Sequence, residues 1–187
     1  MPKIVEEIPY NGVQRKAKRL GLNTLVDEVR DLITGFKLLV KEERDSNGSA
    51  VVRKLLDERF RAARWVKASR PEDVDWTKNI TVNGTNLCVG VEIQVSGRSD
   101  SGLVMDVVHL KREISEGRMD VGIIVVPTDK LSHYLTDRTP SISSARMHVE
   151  QAEATRYAII LMSIAHDGAG PSLPKRPKAQ AGSKQQP

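Results

Sequence analysis

Two short, uninterrupted apolar segments constrain the fold of this chain more than any other feature. Residues 120–126 read DVGIIVV and run into a proline, and residues 157–165 read YAIILMSIA. Such segments are typical of strands that are buried on both faces, as in a parallel sheet covered by helices. They predict an α/β domain in which a mixed central sheet is flanked by helices.

Four amphipathic helices are predicted around these strands. Apolar residues recur at helical spacing over residues 24–42, 49–64, 103–116 and 142–154. The turn sequence DSNGS separates the first two helices. Helices that alternate with apolar strands agree with the prediction of an α/β domain.

A β-hairpin is predicted before the third helix. Asn83-Gly84 is a strong signal for a two-residue turn between antiparallel strands. After the turn, every second residue from Leu87 to Val95 is apolar, so these residues share one face of a strand. Glu92 and Gln94 lie on the opposite face.

The face that carries Glu92 and Gln94 is a candidate metal site. The other residues on it, Cys88 and Gly90, are small. A buried charge is costly unless it is paired or bound to a metal ion. If the strand that follows Asp75 pairs with the strand of Glu92, two carboxylates converge on one point. Mg²⁺ prefers such oxygen ligands and keeps several waters.

Length and composition fit one folded domain with a basic tail. The chain has 187 residues, of which 39% are hydrophobic and 28% charged. We expect a domain over 1–167 and a largely disordered tail over 168–187, which is rich in Gly, Pro, Ser, Lys and Gln. Four of the 29 basic residues lie in the tail, which leaves 25 basic against 24 acidic residues elsewhere. The net charge of +5 is therefore weak evidence for a nucleic-acid partner, although the tail could contact phosphates.

The single cysteine and the histidines limit the chemistry. Cys88 alone excludes an internal disulfide framework and a zinc site built on paired cysteines, and its thiol is expected to pack rather than to react. The four histidines show no close ligand spacing. No apolar run reaches the roughly 18–20 residues of a membrane-spanning helix. The N-terminus MPKIVEEIPYNG has no apolar signal-type core, so we expect a cytoplasmic protein.

The order of these residues resembles the PD-(D/E)xK nuclease superfamily. Asp75, a spacer and then Glu92-Ile93-Gln94 stand in a predicted αβββαβ setting. Within the superfamily the chain is similar to the BglII/BstYI branch of type II restriction endonucleases, in which glutamine replaces the usual lysine of the ExK element. Further residues extend the likeness over roughly 49–167: Val74-Asp75, Lys78-Asn79, Asp106 and Asp120-Val121-Gly122-Ile123-Ile124.

The resemblance implies Mg²⁺-dependent hydrolysis of phosphodiester bonds in double-stranded DNA. It implies that Asp75 and Glu92 hold the metal ion and that the amide of Gln94 orients the attacking water. A residue of the preceding helix completes the site in relatives; Glu58 is the candidate, and Asp57 is the alternative. The offset of 17 residues between Asp75 and Glu92 is longer than is usual, and we interpret TVNGTNLC as an inserted hairpin extension.

The resemblance also implies a homodimer that cuts a short palindromic site, together with a cognate DNA methyltransferase in the same system. Candidate DNA contacts are polar residues beside the site or in loops. They are Lys78, Arg98, Ser99, Arg138, Ser141 and Arg146. The alternative is a module of the same fold that binds DNA or another subunit without cleavage, and metal-dependent nicking of plasmid DNA discriminates the two.

Overall fold

The computed structural model of the protein describes residues 1–70, 72–96, 100–136 and 138–175. In these ranges the strands are β1 (Lys3–Pro9), β2 (Leu39–Val40), β3 (Val66–Lys67), β4 (Trp76–Val82), β5 (Thr85–Ile93), β6 (Val121–Pro127), β7 (Ile159–Ala165) and β8 (Gly168–Ala169). The helices are α1 (Val13–Leu20), α2 (Asn23–Thr34), α3 (Ser49–Ala62), α4 (Asp100–Ser115), α5 (Asp129–Tyr134) and α6 (Ile142–Gln151), with a 3₁₀ turn at Ala154–Arg156.

The main sheet is mixed, as predicted. Its six strands lie in the order β1-β7-β6-β5-β4-β3. The central strands β5, β6 and β7 run parallel, and β1, β4 and β3 join by antiparallel pairing. From α3 to β6 the elements follow the predicted order αβββαβ. A second, short sheet pairs β2 with β8 in parallel.

Helices cover both faces of the main sheet. One face packs against α1, α2, α3 and α5 in a core that includes Val29, Phe60 and Leu131. The opposite face packs against α4 and α6, with Leu110 and Val149 in its core. Every residue of β6 is buried, and β7 is buried up to its last residue. The prediction of strands buried on both faces is confirmed, because each of these strands contributes side chains to both cores.

The predicted hairpin joins β4 to β5. The turn residues Asn83 and Gly84 both have positive φ, 49° and 79°, which is the backbone that a two-residue hairpin turn requires. In the ladder Trp76 pairs with Val91. Asp75 and Glu92 are the next residues outward on their two segments, and they therefore lie opposite each other.

The helix predicted over 24–42 is shorter in the structure. It ends at Thr34, where the backbone N–H of Gly35 donates to the Asp31 carbonyl, and Leu39–Val40 forms β2 instead. Leu39 and Val40 fit the helical spacing of α2, but in the structure they form the short strand β2. The prediction was wrong here because apolar spacing alone does not distinguish a longer helix from a helix followed by a short strand. Strand β1 and helices α1 and α5 were also not predicted from the sequence.

The structure differs from the expected domain boundary after residue 167. Gly168–Ala169 pairs with Leu39–Val40, so the chain stays attached to the body beyond that point. Leu173 is packed against the core, its carbonyl accepts a hydrogen bond from the Gly48 N–H at 3.0 Å, and its N–H donates to Asn47 Oδ1 at 3.2 Å. The rest of the expected tail, 176–187, lies outside the described residues.

In the described ranges, no helix is both long enough and apolar enough to cross a membrane.

Candidate active site

Glu92 of β5 and Gln94, which directly follows the strand, lie on the face of the sheet that α4 covers. Val91 and Ile93 point into the opposite core, so the period-2 alternation predicted from the sequence is confirmed. Glu92 and Gln94 are 1% and 3% exposed. A carboxylate and an amide are thus buried side by side near the end of a central strand.

Asp75 approaches Glu92 through the hairpin register. The backbone N–H of Asp75 donates to Glu92 Oε2 at 3.2 Å, and the N–H of Ile93 donates to Asp75 Oδ2 at 2.9 Å. These two hydrogen bonds tie the start of β4 to the end of β5. The structure therefore brings together the two carboxylates that the sequence analysis assigned to a metal ion.

Helix α4 adds two residues that the sequence analysis did not place in the site. Asp106 and His109 are each 5% exposed, and each offers a ligand atom within 4.8 Å of a Glu92 oxygen and of the other. His109 Nδ1 lies 3.5 Å from Glu92 Oε1. Their spacing of three residues, which puts them on one side of a helix, was the available signal. That spacing is common, so it could not identify a site without the packing of α4 on β5.

The electrostatics of this group favour a bound cation. Burial raises the pKa of Glu92 well above its usual range, and the charges of Asp106 and Asp75 raise it further. Within the described residues, Glu92 Oε1 is buried without a hydrogen-bond partner. Oxygen and imidazole donors around a buried carboxylate fit a divalent metal ion, and a bound cation would stabilise the ionised form of Glu92.

Gln94 directly follows β5, two residues after Glu92. Its backbone N–H donates to the Val125 carbonyl at 2.8 Å, which continues the pairing of β5 with β6. In the described part of the chain its buried Nε2 has no hydrogen-bond partner. A buried amide with an unused donor can bind a ligand or water.

Helix α3 reaches the site with other residues than the one expected. Glu58 is 53% exposed and pairs with Lys54 on the surface of the helix, so its placement differs from the prediction. The alternative, Asp57, points inward and binds Arg53, which in turn binds Asp75. The register explains the difference, because adjacent helical residues point about 100° apart.

Cys88 behaves as the sequence analysis predicted. Burial raises the pKa of its thiol to about 11, with further contributions from Asp120 and Glu113. The thiol is therefore protonated near neutral pH and is a poor nucleophile.

The structure engages Lys78 internally. Its Nζ binds both oxygens of Glu28 at 2.8 and 3.0 Å and the Ala63 carbonyl at 3.0 Å, and it lies over the Trp65 ring. This ion pair joins β4 to α2. A phosphate contact, as proposed from the sequence, would have to compete with these partners.

The remaining candidate DNA contacts lie in three places. Arg138 is exposed in a loop with φ of 51°. Ser141 is the N-terminal cap residue of α6, and Arg146 on that helix pairs with Glu6 of β1 at 2.8 Å. Arg98 and Ser99 lie outside the described residues.

Fold and site together define a restriction-endonuclease-like nuclease domain. A mixed sheet lies between two helical layers, and the end of its central hairpin joins two carboxylates. The chain belongs to the BamHI restriction endonuclease family: the family model described as Restriction endonuclease BamHI matches residues 11–183. None of the curated proteins compared with the chain matches it.

Membership of this family makes the chain a type II site-specific deoxyribonuclease with duplex DNA as its partner. The prediction of a type II restriction endonuclease is confirmed. The family match does not distinguish the BglII/BstYI branch. Restriction endonucleases typically use a divalent metal ion, and the group formed by Glu92, Asp106 and His109 could hold one.

Proposed function

We propose that this protein is a Mg²⁺-dependent endonuclease that cuts duplex DNA at a short palindromic site, with Asp75, Glu92 and Gln94 as its catalytic residues. The observation that carries the proposal is the buried Glu92 carboxylate, which faces Asp75 across the hairpin at the end of the central strand. A cation bound there would stabilise the ionised form of the buried Glu92, and a divalent ion at the same place can assist phosphodiester hydrolysis.

Asp75 and Glu92 would hold the metal ion, with Asp106 and His109 beside Glu92. The oxygen donors favour Mg²⁺, whereas the imidazole of His109 would also suit Mn²⁺. When bound, the ion supplies Lewis acidity at the scissile phosphate and lowers the pKa of a coordinated water.

Gln94 would position the attacking water. Its side-chain oxygen can accept a hydrogen bond from that water, but an amide does not remove a proton near neutral pH. This role for Gln94 is the one that the resemblance to the BglII/BstYI branch implies. We propose on the same ground that the chain belongs to that branch. The proton acceptor is then a substrate phosphate or another water.

A homodimer follows from the palindrome, because two identical sites cut the two strands symmetrically. Phosphate and base contacts are proposed for Arg98, Ser99, Arg138, Ser141 and Arg146. A cognate methyltransferase in the same cytoplasm would protect the host's own sites.

Glu92→Ala tests the proposal. We expect the variant to lose cleavage of plasmid DNA in Mg²⁺ by roughly 10²–10³-fold, the scale of removing an electrostatic catalytic group, while it still binds the cognate duplex. Binding should persist because the lost carboxylate holds the metal ion and repels phosphate. Cleavage is measured by gel assay and binding by mobility shift in Ca²⁺.

Glu43→Ala serves as the matched control, because Glu43 is 60% exposed and pairs with Lys41 on the surface. It should cleave like the wild type. Wild-type cleavage by Glu92→Ala would eliminate the proposed site.

A further inference from the structure

Arg53 of α3 lies where the start of β4 meets the end of β5, and its partly buried side chain is 19% exposed. Its guanidinium uses all three nitrogens on three different acceptors. Nε donates to Asp57 Oδ1 at 2.8 Å, Nη1 to the Ile93 carbonyl at 2.7 Å, and Nη2 to Asp75 Oδ1 at 2.9 Å. One planar group thus joins a helix to both strands of the hairpin.

The acceptors lie next to the catalytic residues. Ile93 stands between Glu92 and Gln94, and its carbonyl belongs to the peptide that leads into Gln94, so the bond from Arg53 fixes the backbone on the Gln94 side. The other side of Ile93 is also held, because its N–H donates to Asp75 Oδ2 at 2.9 Å. Arg53 therefore holds the Asp75 carboxylate and the β5 backbone in one network.

Asp57 keeps Arg53 in this orientation. Its Oδ2 accepts from Lys67 Nζ at 2.7 Å, and its Oδ1 also accepts from Trp76 Nε1 at 3.3 Å. Burial alone would lower the pKa of Arg53, but the charges of Asp75 and Asp57 hold that pKa above its ordinary value, so the guanidinium stays charged. The chain Lys67–Asp57–Arg53–Asp75 is thus a charged network that runs from the sheet edge to the site.

We propose that Arg53 is a positioning residue, which sets the Asp75 carboxylate and the Glu92-Gln94 segment in the geometry that binds the metal ion. The proposal rests on the function proposed above, in which Asp75 and Glu92 hold that ion. A guanidinium suits the task because its fork is planar and pre-organised, whereas a lysine ammonium cannot span three acceptors at fixed angles.

The test measures metal binding directly on the full-length, DNA-free protein. Calorimetric titrations with Mg²⁺ and with Mn²⁺ are run on the wild type, Arg53→Gln and Arg53→Lys. We expect both variants to bind metal at least about 10-fold more weakly, which is the usual effect of losing a group that orients a ligand. Arg53→Lys carries the test if Arg53→Gln does not fold, because it retains the charge beside Asp57 and Asp75.

Arg59→Gln is the matched control. Arg59 lies on the same helix, and its Nε donates to the Leu32 carbonyl of α2 at 2.7 Å. This bond involves none of the proposed site residues. It should lower the melting temperature without changing metal affinity. Unchanged metal affinity in both Arg53 variants would reduce Arg53 to a structural role and overturn the proposal. Tighter binding would show that the guanidinium competes with the ion, and would overturn it as well.

Asp75→Asn and Glu92→Ala separate this proposal from the proposed function. If both lose metal binding while Arg53→Lys keeps wild-type affinity, only the role of Arg53 fails. If both bind metal like the wild type, the metal site itself is wrong, and the two proposals fall together.

Discussion

Gln94 is the residue on which the proposed chemistry depends most after Glu92. It is buried, and it follows Glu92 by two residues just after the end of β5, on the same side of the strand. A group in this position can orient a water without binding the metal ion strongly. Its replacement should therefore separate the chemical step from metal binding.

Gln94→Ala should slow single-turnover cleavage of a cognate duplex by roughly 10²-fold or more, the scale of a positioned catalytic group. Metal affinity should change little. Gln94→Glu should tighten metal binding and shift the preference toward Mn²⁺, because it adds a negative oxygen donor beside Glu92. Both variants are measured across Mg²⁺ and Mn²⁺ titrations. An unchanged rate in Gln94→Ala would mean that the side chain plays no part in the reaction.

The site residues that could be predicted from the sequence are fixed by local strand geometry, whereas those that were missed depend on how helices pack on the sheet. Glu92 and Gln94 follow from alternation, since a strand fixes the side of each residue once one face is apolar. Asp106 and His109 could not be predicted from such alternation, because their contact with Glu92 depends on how α4 packs on the sheet. Glu58 and Asp57 are adjacent, and only the rotation of α3 decides which points inward.

Among the elements, the hairpin explains the unusual spacing of the two carboxylates. Asp75 precedes Asn83 by as many residues as Glu92 follows Gly84, so a two-residue turn puts them opposite each other. A longer hairpin leaves the site unchanged as long as it grows symmetrically. The interpretation of TVNGTNLC as a hairpin extension agrees with the observed ladder.

Strand β1 shows what local sequence cannot predict. It is an edge strand beside β7, and its residues are half polar, so it carries weak alternation. Its position is fixed instead by pairing with β7 and by an ion pair to α2: Arg30 donates to both Glu7 oxygens, at 2.9 and 2.6 Å. Contacts between residues this far apart in the chain are invisible to a pattern within one segment.

The Glu7–Arg30 pair predicts a pH-dependent stability. The hydrogen bond from Arg30 lowers the pKa of Glu7 below its ordinary 4.5, against the opposing effect of burial. Because the folded-state pKa is lowered, the stabilisation is complete above about 4.5 and is lost as pH falls through the folded-state value. Glu7→Gln should therefore cost about 1 kcal/mol of unfolding free energy at pH 7 and less at pH 3.

Urea unfolding at the two pH values measures this difference. Glu153→Gln is the control, because Glu153 and Arg156 are 67% and 77% exposed and their pair should contribute almost nothing. A Glu7→Gln cost that is equal at both pH values would show that the charge of Glu7 does not stabilise the fold.

At the scale of the whole molecule, the layer arrangement was predictable and the chain end was not. Buried strands and amphipathic helices indicate a covered sheet wherever they occur. Residues 168–173 are rich in Gly, Pro and Ser and look like a linker, yet they complete the second sheet with β2. The backbone of these residues forms the hydrogen bonds to β2, and the amino-acid composition of a segment does not reveal which backbone groups it will pair with.

Two truncations test this assignment of the chain end. Removing Pro174–Pro187 should leave the melting temperature nearly unchanged, because Leu173 and its bonds to Gly48 and Asn47 remain. Removing residues 168–187 should cost about 2–3 kcal/mol of unfolding free energy. It exposes the surface under Leu173 and leaves the fully buried Asn47 with fewer partners.

The shorter truncation also tests whether the basic residues of the tail contact DNA. Their loss should flatten the salt dependence of duplex binding by up to about 4 in the slope of log affinity against log salt, if all four contact phosphates. Binding is measured by fluorescence anisotropy from low to physiological salt. An unchanged slope would show that these residues do not contact phosphates. A large loss of stability on removing Pro174–Pro187 alone would show that the folded body extends past Leu173. Contacts made by residues after Leu173 would then be needed to keep β8 paired with β2.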